Sequence, residues 1–117
     1  MSERRDTQRD TRRRGNSAQA HLSTIYWRDI PAQVTARAGR EKVSVKLSDR
    51  FQTSIDGAAT RAGKTAADDY LAEWREERSD CGDDLELAVE ERRSEIESLF
   101  TPELLRAHVT AGGWAPD

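Results

Sequence analysis

The feature that most constrains this chain is a single change of hydrophobic period near residue 48. Before it, Ala32, Val34 and Ala36 alternate with Gln33, Thr35 and Arg37, and Val43, Val45 and Leu47 alternate with Ser44 and Lys46. Period two buries one face of a strand and wets the other. Ala38-Gly39-Arg40-Glu41 lies between these runs as a short glycine-containing loop, so they read as a hairpin. Upstream, Leu22–Trp27 is rich in β-branched and aromatic residues and predicts a further strand, broken by Asp29-Ile30-Pro31. After residue 48 the apolar residues fall on helical stripes. Phe51, Ile55, Ala58, Ala59 and Ala62 form the first, with Ser48 placed to cap it and Gly63 to end it.

Thr65-Ala-Ala-Asp68 resembles a capping box and predicts a second helix. That helix turns Ala67, Tyr70, Leu71 and Trp74 inward and ends in a solvated Arg75–Arg78 turn, with Ser79–Gly82 as a loop. Leu85, Val89, Ile96 and Leu99 mark a third helix, whose stripe Arg92 or Arg93 interrupts. Thr101-Pro102 opens a fourth, through Leu104, Leu105 and Val109, which Gly112-Gly113 stops. Strands first and helices after predict an α+β fold. The expectation is a short three-stranded antiparallel sheet followed by three to four helices packed on one face. The expected core is Ile25, Val34, Val43, Val45, Leu47, Phe51, Ile55, Leu71 and Trp74.

Hydrophobic and charged residues each make up 35% of the 117 residues, which fits one modest domain plus an unfolded segment. Residues 1–20 hold six arginines, three acids and nothing that anchors a core, so they read as a disordered tail. Residues 21–111 read as a single domain, with 21–78 as its core and 79–111 as a helical extension, and 112–117 as a C-terminal tail. Charge is unevenly spread. Residues 28–64 carry eight Lys or Arg against four acids, whereas residues 68–99 carry four Arg against thirteen acids. Such asymmetry marks either an interaction surface or two solvated faces.

The one cysteine, Cys81, excludes an internal disulfide and cysteine-rich zinc sites. No stretch approaches the length of a membrane span, and the N-terminus lacks a signal-peptide apolar region, so the expected location is the cytoplasm.

The run Ile25-Tyr-Trp-Arg-Asp-Ile-Pro-Ala-Gln-Val34 is followed by Arg50-Phe51, Ile55-Asp56, Ala58-Ala59 and Ala62-Gly63. Then come Asp69-Tyr70-Leu71 and Glu73-Trp74-Arg75. Together they resemble the small bacterial domain family labelled "virulence factor", over about residues 25–78. The resemblance implies no activity and no catalytic or binding residue. It implies an association with folate- and corrinoid-dependent one-carbon metabolism.

No constellation points to catalysis, to a metal or to a cofactor. The acidic window Asp80–Glu91 has Gly82 and Leu85 where a calcium loop wants a ligand and a glycine, so it reads as a helix N-terminus. His21 and His108 lack an evident partner, Asp68, Asp69 and Glu73 read as solvated caps, and acidic neighbours disfavour a Cys81 thiolate. Trp27, Arg28, Arg92 and Arg93 are the candidate interaction surface, because an aromatic beside a cation stacks bases and the two arginines interrupt an apolar stripe. Three functions remain. The first is an accessory protein with a protein partner. The second is a nucleic-acid binder using the tail, including Arg12-Arg13-Arg14, and a basic sheet face. That reading requires the acidic stretch to lie on the far side. The third is a small enzyme, which requires a pocket of several hundred cubic ångströms.

Overall fold

The computed structural model describes residues 19–116. The expected tail therefore lies, up to residue 18, outside the described residues. The elements are β1 (His21–Trp27), β2 (Ile30–Ala38), β3 (Glu41–Lys46), α1 (Asp49–Ala62), α2 (Ala67–Leu71), β4 (Trp74–Asp80), α3 (Leu85–Leu99) and α4 (Pro102–Thr110). All strand pairs are antiparallel, in the order β3-β2-β1-β4.

The sheet has four strands, where the sequence pattern predicts three. Ala67, Tyr70, Leu71 and Trp74 fit a helical stripe, yet α2 stops after five residues and the chain at Trp74 becomes an edge strand. The seven residues of β4 pair with all of β1, from Trp27↔Trp74 to His21↔Asp80. From Glu76 to Asp80 its side chains are exposed, so no apolar alternation announces it. Its strand character comes from pairing some fifty residues away in sequence. Leu71, expected in the core, is 63% exposed. Trp74 is half-buried, edge-on against Tyr70 at 5.8 Å.

Val34, Leu47, Phe51 and Ile55 are buried, together with Trp27, Ile30, Ala36, Val89, Ile96 and Leu105. Ile25, Val43 and Val45 are half-buried at the margins. The expected break after Trp27 falls at Arg28-Asp29, and Ile30 and Pro31 already belong to β2. The register shifts there, so that Tyr26 faces Pro31, and the irregularity tolerates a residue with no N–H. Ser48 precedes α1 but its hydroxyl does not cap it. Instead its N–H and O–H both donate to the Glu97 carboxylate, tying α1 to α3. Thr65 does not cap α2, which starts after Ala66. Thr101 does cap α4, accepting from the Leu104 N–H. Gly63 ends α1 in the left-handed region.

One turn ties these parts together. Trp27 is fully buried, stacks on Tyr70 and donates its indole N–H to the Tyr70 carbonyl at 2.9 Å. Arg28 takes a left-handed φ of 54°, unusual for a residue with a side chain. Its guanidinium lies between the rings of Trp27 and Trp114, and donates to Glu73 and to the Gly112 carbonyl. Asp29 donates its N–H to Gly113 and accepts from the Ala115 N–H and from Arg75. The residues after α4, expected to be a tail, are thus docked on this turn. Gly113 is required there: its φ is 100°, and a Cβ would stand 2.8 Å from Cζ3 of Trp27.

Trp27→Ala is expected to lower the unfolding free energy by about 3–5 kcal/mol, measured by urea denaturation, and Trp74→Ala by less. Gly113→Ala is expected to lower the midpoint too, since both its backbone and the ring behind it resist a methyl group. An unchanged midpoint for either Trp27→Ala or Gly113→Ala would contradict the described packing.

Candidate functional site

Residues paired across antiparallel strands point to the same side of a sheet. One side carries Leu22, Thr24 and Tyr26 of β1, Val34 and Ala36 of β2, and Val43 and Val45 of β3. Helix α3 covers this side: Arg92 reaches down from it to donate to the hydroxyls of Thr24 and Tyr26. Burial pushes the Tyr26 hydroxyl up from its ordinary pKa, with Arg92 opposing and Glu77 adding to the shift. Burial by itself would lower Arg92, but its hydrogen bonds to Glu95 and Tyr26 and their charges outweigh it, so its pKa is raised.

The other side of the sheet is built from the polar phase of the same strands. Across β4, β1, β2 and β3 the register sets three rows. The first is Asp80, His21, Arg37 and Lys42; the second is Arg78, Ser23, Thr35 and Ser44; the third is Glu76, Ile25, Gln33 and Lys46. Thr35 and Ser44 share a hydrogen bond of 2.7 Å, and Arg78 donates to Nε2 of His21 at 2.8 Å, which makes that nitrogen an acceptor. Ser23 and Thr35 are buried between their larger neighbours, while Arg37, Lys42, Lys46 and Arg78 are exposed. Among the described residues, Arg37, Lys42 and Lys46 have no ion-pair partner.

Below the third row this face sinks into a hollow of about 370 Å³. Ile25, Gln33, Lys46 and Trp74 line it from the sheet, with Ala32 and Leu47, and Asp49 and Gln52 line it from the start of α1. Gln52 also bonds to Asp56 and to the Tyr70 hydroxyl. Its size suits a small ligand or an inserted side chain. Two amides, an indole, one cation and one carboxylate supply stacking and hydrogen bonding.

The charge asymmetry along the chain becomes an asymmetry between layers. Asp83, Asp84, Glu86, Glu90, Glu91, Glu95 and Glu97 belong to α3 and the loop that enters it, across the sheet from the cationic rows. Asp84 caps α3, accepting from the Leu87 N–H at 3.1 Å.

The residues singled out from the sequence are placed differently. Trp27 is enclosed, and the Arg28 side chain is only 10% exposed, with Nε bonded to Glu73 and Nη1 to the Gly112 carbonyl. Arg92 fills the cleft over Thr24 and Tyr26, and Arg93 pairs with Glu90 on its own helix. The structure brings none of these to the open face. The residues that do line it were hidden in the alternation: Gln33, Thr35 and Arg37, then Lys42, Ser44 and Lys46, are the polar phase of β2 and β3 and include no acid. Arg78 gave no such signal, because its segment reads as the end of a helix.

A family model described as "Virulence factor" matches residues 25–109. The chain belongs to the virulence-factor family. The match extends past residue 78, where the sequence resemblance stops, through β4, α3 and α4. Comparison with curated proteins and with solved structures returned no match. The virulence-factor match begins within β1 and ends within α4, with β2, β3, β4, α1, α2 and α3 wholly inside it. Its Trp-Arg-Asp run forms the turn that holds α2, β4 and the C-terminal segment. No helix among the described residues is long and apolar enough to cross a membrane.

Burial, with the Asp80 and Asp83 carboxylates adding to it, pushes the Cys81 thiol up from its usual pKa. The thiolate is the reactive form. Alkylation of Cys81 by iodoacetamide near neutral pH is therefore expected to run slower than that of an unstructured peptide thiol, and to speed up on denaturation. A rate above that of the peptide would contradict this environment.

Proposed function

We propose that this protein is an accessory binding module whose working surface is the open face of the sheet. The observation that carries the reading is the partition of charge by the sheet itself. Arg37, Lys42, Lys46 and Arg78 stand on the uncovered side, and the acids of α3 stand on the other. A face on which cations outnumber acids, beside a hollow, supports this reading, since it steers a ligand of opposite charge and gives it a seat. The hollow fits the size that an enzyme would need, but its polar lining is suited to holding a group rather than to activating one. The one-carbon association implied by the family resemblance identifies no residue of this face and adds no weight to the reading.

The test is capture from native cell extract with the full chain, the double variant Arg37→Glu/Lys46→Glu, and Arg106→Glu, which changes charge on the exposed side of α4. Recovered material is read by mass spectrometry with and without nuclease. The wild type and Arg106→Glu are expected to recover the same stoichiometric species, and the double variant to lose it at least tenfold. Equal recovery by all three would place the working surface elsewhere.

A further inference from the structure

The sheet face that no helix covers among the described residues has a chemistry of its own. Its cations are spread over three of the four strands, Arg78 on β4, Arg37 on β2, and Lys42 and Lys46 on β3. Lys42 and Lys46 lie four residues apart on one strand, a span of about 13 Å. Between them lies Ser44, the exposed hydroxyl of a row whose other members, Ser23 and Thr35, are buried, and a hydroxyl can hydrogen-bond a phosphate oxygen. Glu76 and Asp80 share the face on β4, and Asp49 stands at the hollow beside Lys46, so Arg37 and Lys42 are the cations set apart from acids on this face.

At the lower end of this track the Trp74 indole borders the hollow, flanked by the Gln33 and Gln52 amides and by Lys46. Its ring is held edge-on by Tyr70, which in turn stacks on the buried Trp27. An aromatic fixed in this way beside a cation pairs a base-stacking platform with a phosphate contact. Amides at the rim can meet the hydrogen-bonding edge of a base. Neutral proteins or peptides would use the hollow but gain nothing from the cations. A rigid duplex cannot place an unstacked base in it. The combination of a stacking seat with a short cationic and hydroxyl track is that of single-stranded nucleic acid binding.

We infer that the open sheet face binds single-stranded nucleic acid, with one base in the Trp74 hollow and the backbone crossing Lys46 towards Arg37 and Lys42. This rests on the reading of the open face as the working surface. Three to four phosphate contacts imply a slope of log Kobs against log[salt] of about −2 to −3, since each contact on a single strand contributes about −0.7.

The experiment is fluorescence anisotropy of the full chain with labelled 12-nucleotide single-stranded RNA and DNA of mixed sequence, and with a duplex of the same sequence, across a salt series. Residues 1–18 are common to every protein tested, so differences between variants report the sheet. Lys46→Ala and Lys42→Ala are each expected to weaken binding severalfold and to make the slope shallower by about 0.7. Trp74→Phe, which keeps a stacking ring, is expected to bind nearly as the wild type. Trp74→Leu is expected to lose at least fivefold with an unchanged slope, and circular dichroism checks that it is folded. Arg106→Glu is expected to behave as the wild type. No binding at low salt, tighter binding of the duplex, or equal losses for Arg106→Glu and Lys46→Ala would overturn the inference. If oligonucleotides do not bind while the Arg37→Glu/Lys46→Glu variant still loses a nuclease-insensitive protein from extract, the nucleic-acid inference falls and the binding-module reading stands. If neither assay responds to the open face, both fall.

Discussion

The burial of Trp27 is the constraint on which the rest of this structure depends. An indole carries a large apolar surface and one N–H that needs a partner when it is taken out of water. Here the partner is the Tyr70 carbonyl, so burying the ring also fixes where α2 must end. The next two residues extend the same obligation. Arg28 accepts a left-handed backbone and a desolvated guanidinium, and that cost, of order 1–3 kcal/mol for the backbone alone, is offset by contacts with Glu73, Gly112 and two indoles. Asp29 then holds Arg75 and the segment after α4. One two-residue turn thereby joins the first hairpin, the last strand and the last helix. The Trp-Arg-Asp run thus has an architectural role in this domain.

How much of this was legible in the sequence depended on whether burial was local. The polar and apolar phases of β2 and β3, the stripe of α1 and the Thr101-Pro102 start of α4 each carry their own signal within a few residues, and each stands where its pattern places it. β4 carries none. Its residues are charged on both sides, because one side faces solvent and the other faces the edge of α3. The sole cause of its extension is the ladder to β1. The preceding apolar residues also happen to fit a helical stripe, and Leu71, which completes that stripe, is exposed. The candidate site was hidden for a related reason. A sheet face is assembled from alternate residues of several strands, so Lys46, Gln33, Ile25 and Glu76 become neighbours only once the register is known.

The sheet does more than support a core. By presenting opposite phases of the same strands to two sides, it sorts the chain's charge into layers. The acids of α3 lie outside the apolar side chains with which that helix packs on the sheet, Arg92 bonds from it to Thr24 and Tyr26, and the cations of β2 and β3 remain in water. A chain with a net charge of only −3 thus acquires two faces of opposite character. The charged outer strand serves a second purpose: exposed Arg, Glu and Asp along β4 discourage pairing with another copy at that edge, which ends the sheet among the described residues.

The docking of the C-terminal segment on the β1–β2 turn has a mechanical consequence. Residue 20 enters at one end of β1, where its carbonyl accepts from Cys81, and Ala115 is held at the other end through Asp29. The seven residues between span about 20–24 Å, with β2 and β4 bonded along both flanks. A pull between residue 20 and Ala115 therefore runs along β1 and reaches the C-terminal segment through the bonds that Gly113 and Ala115 make to Asp29, so these few contacts carry the load and give way before either ladder.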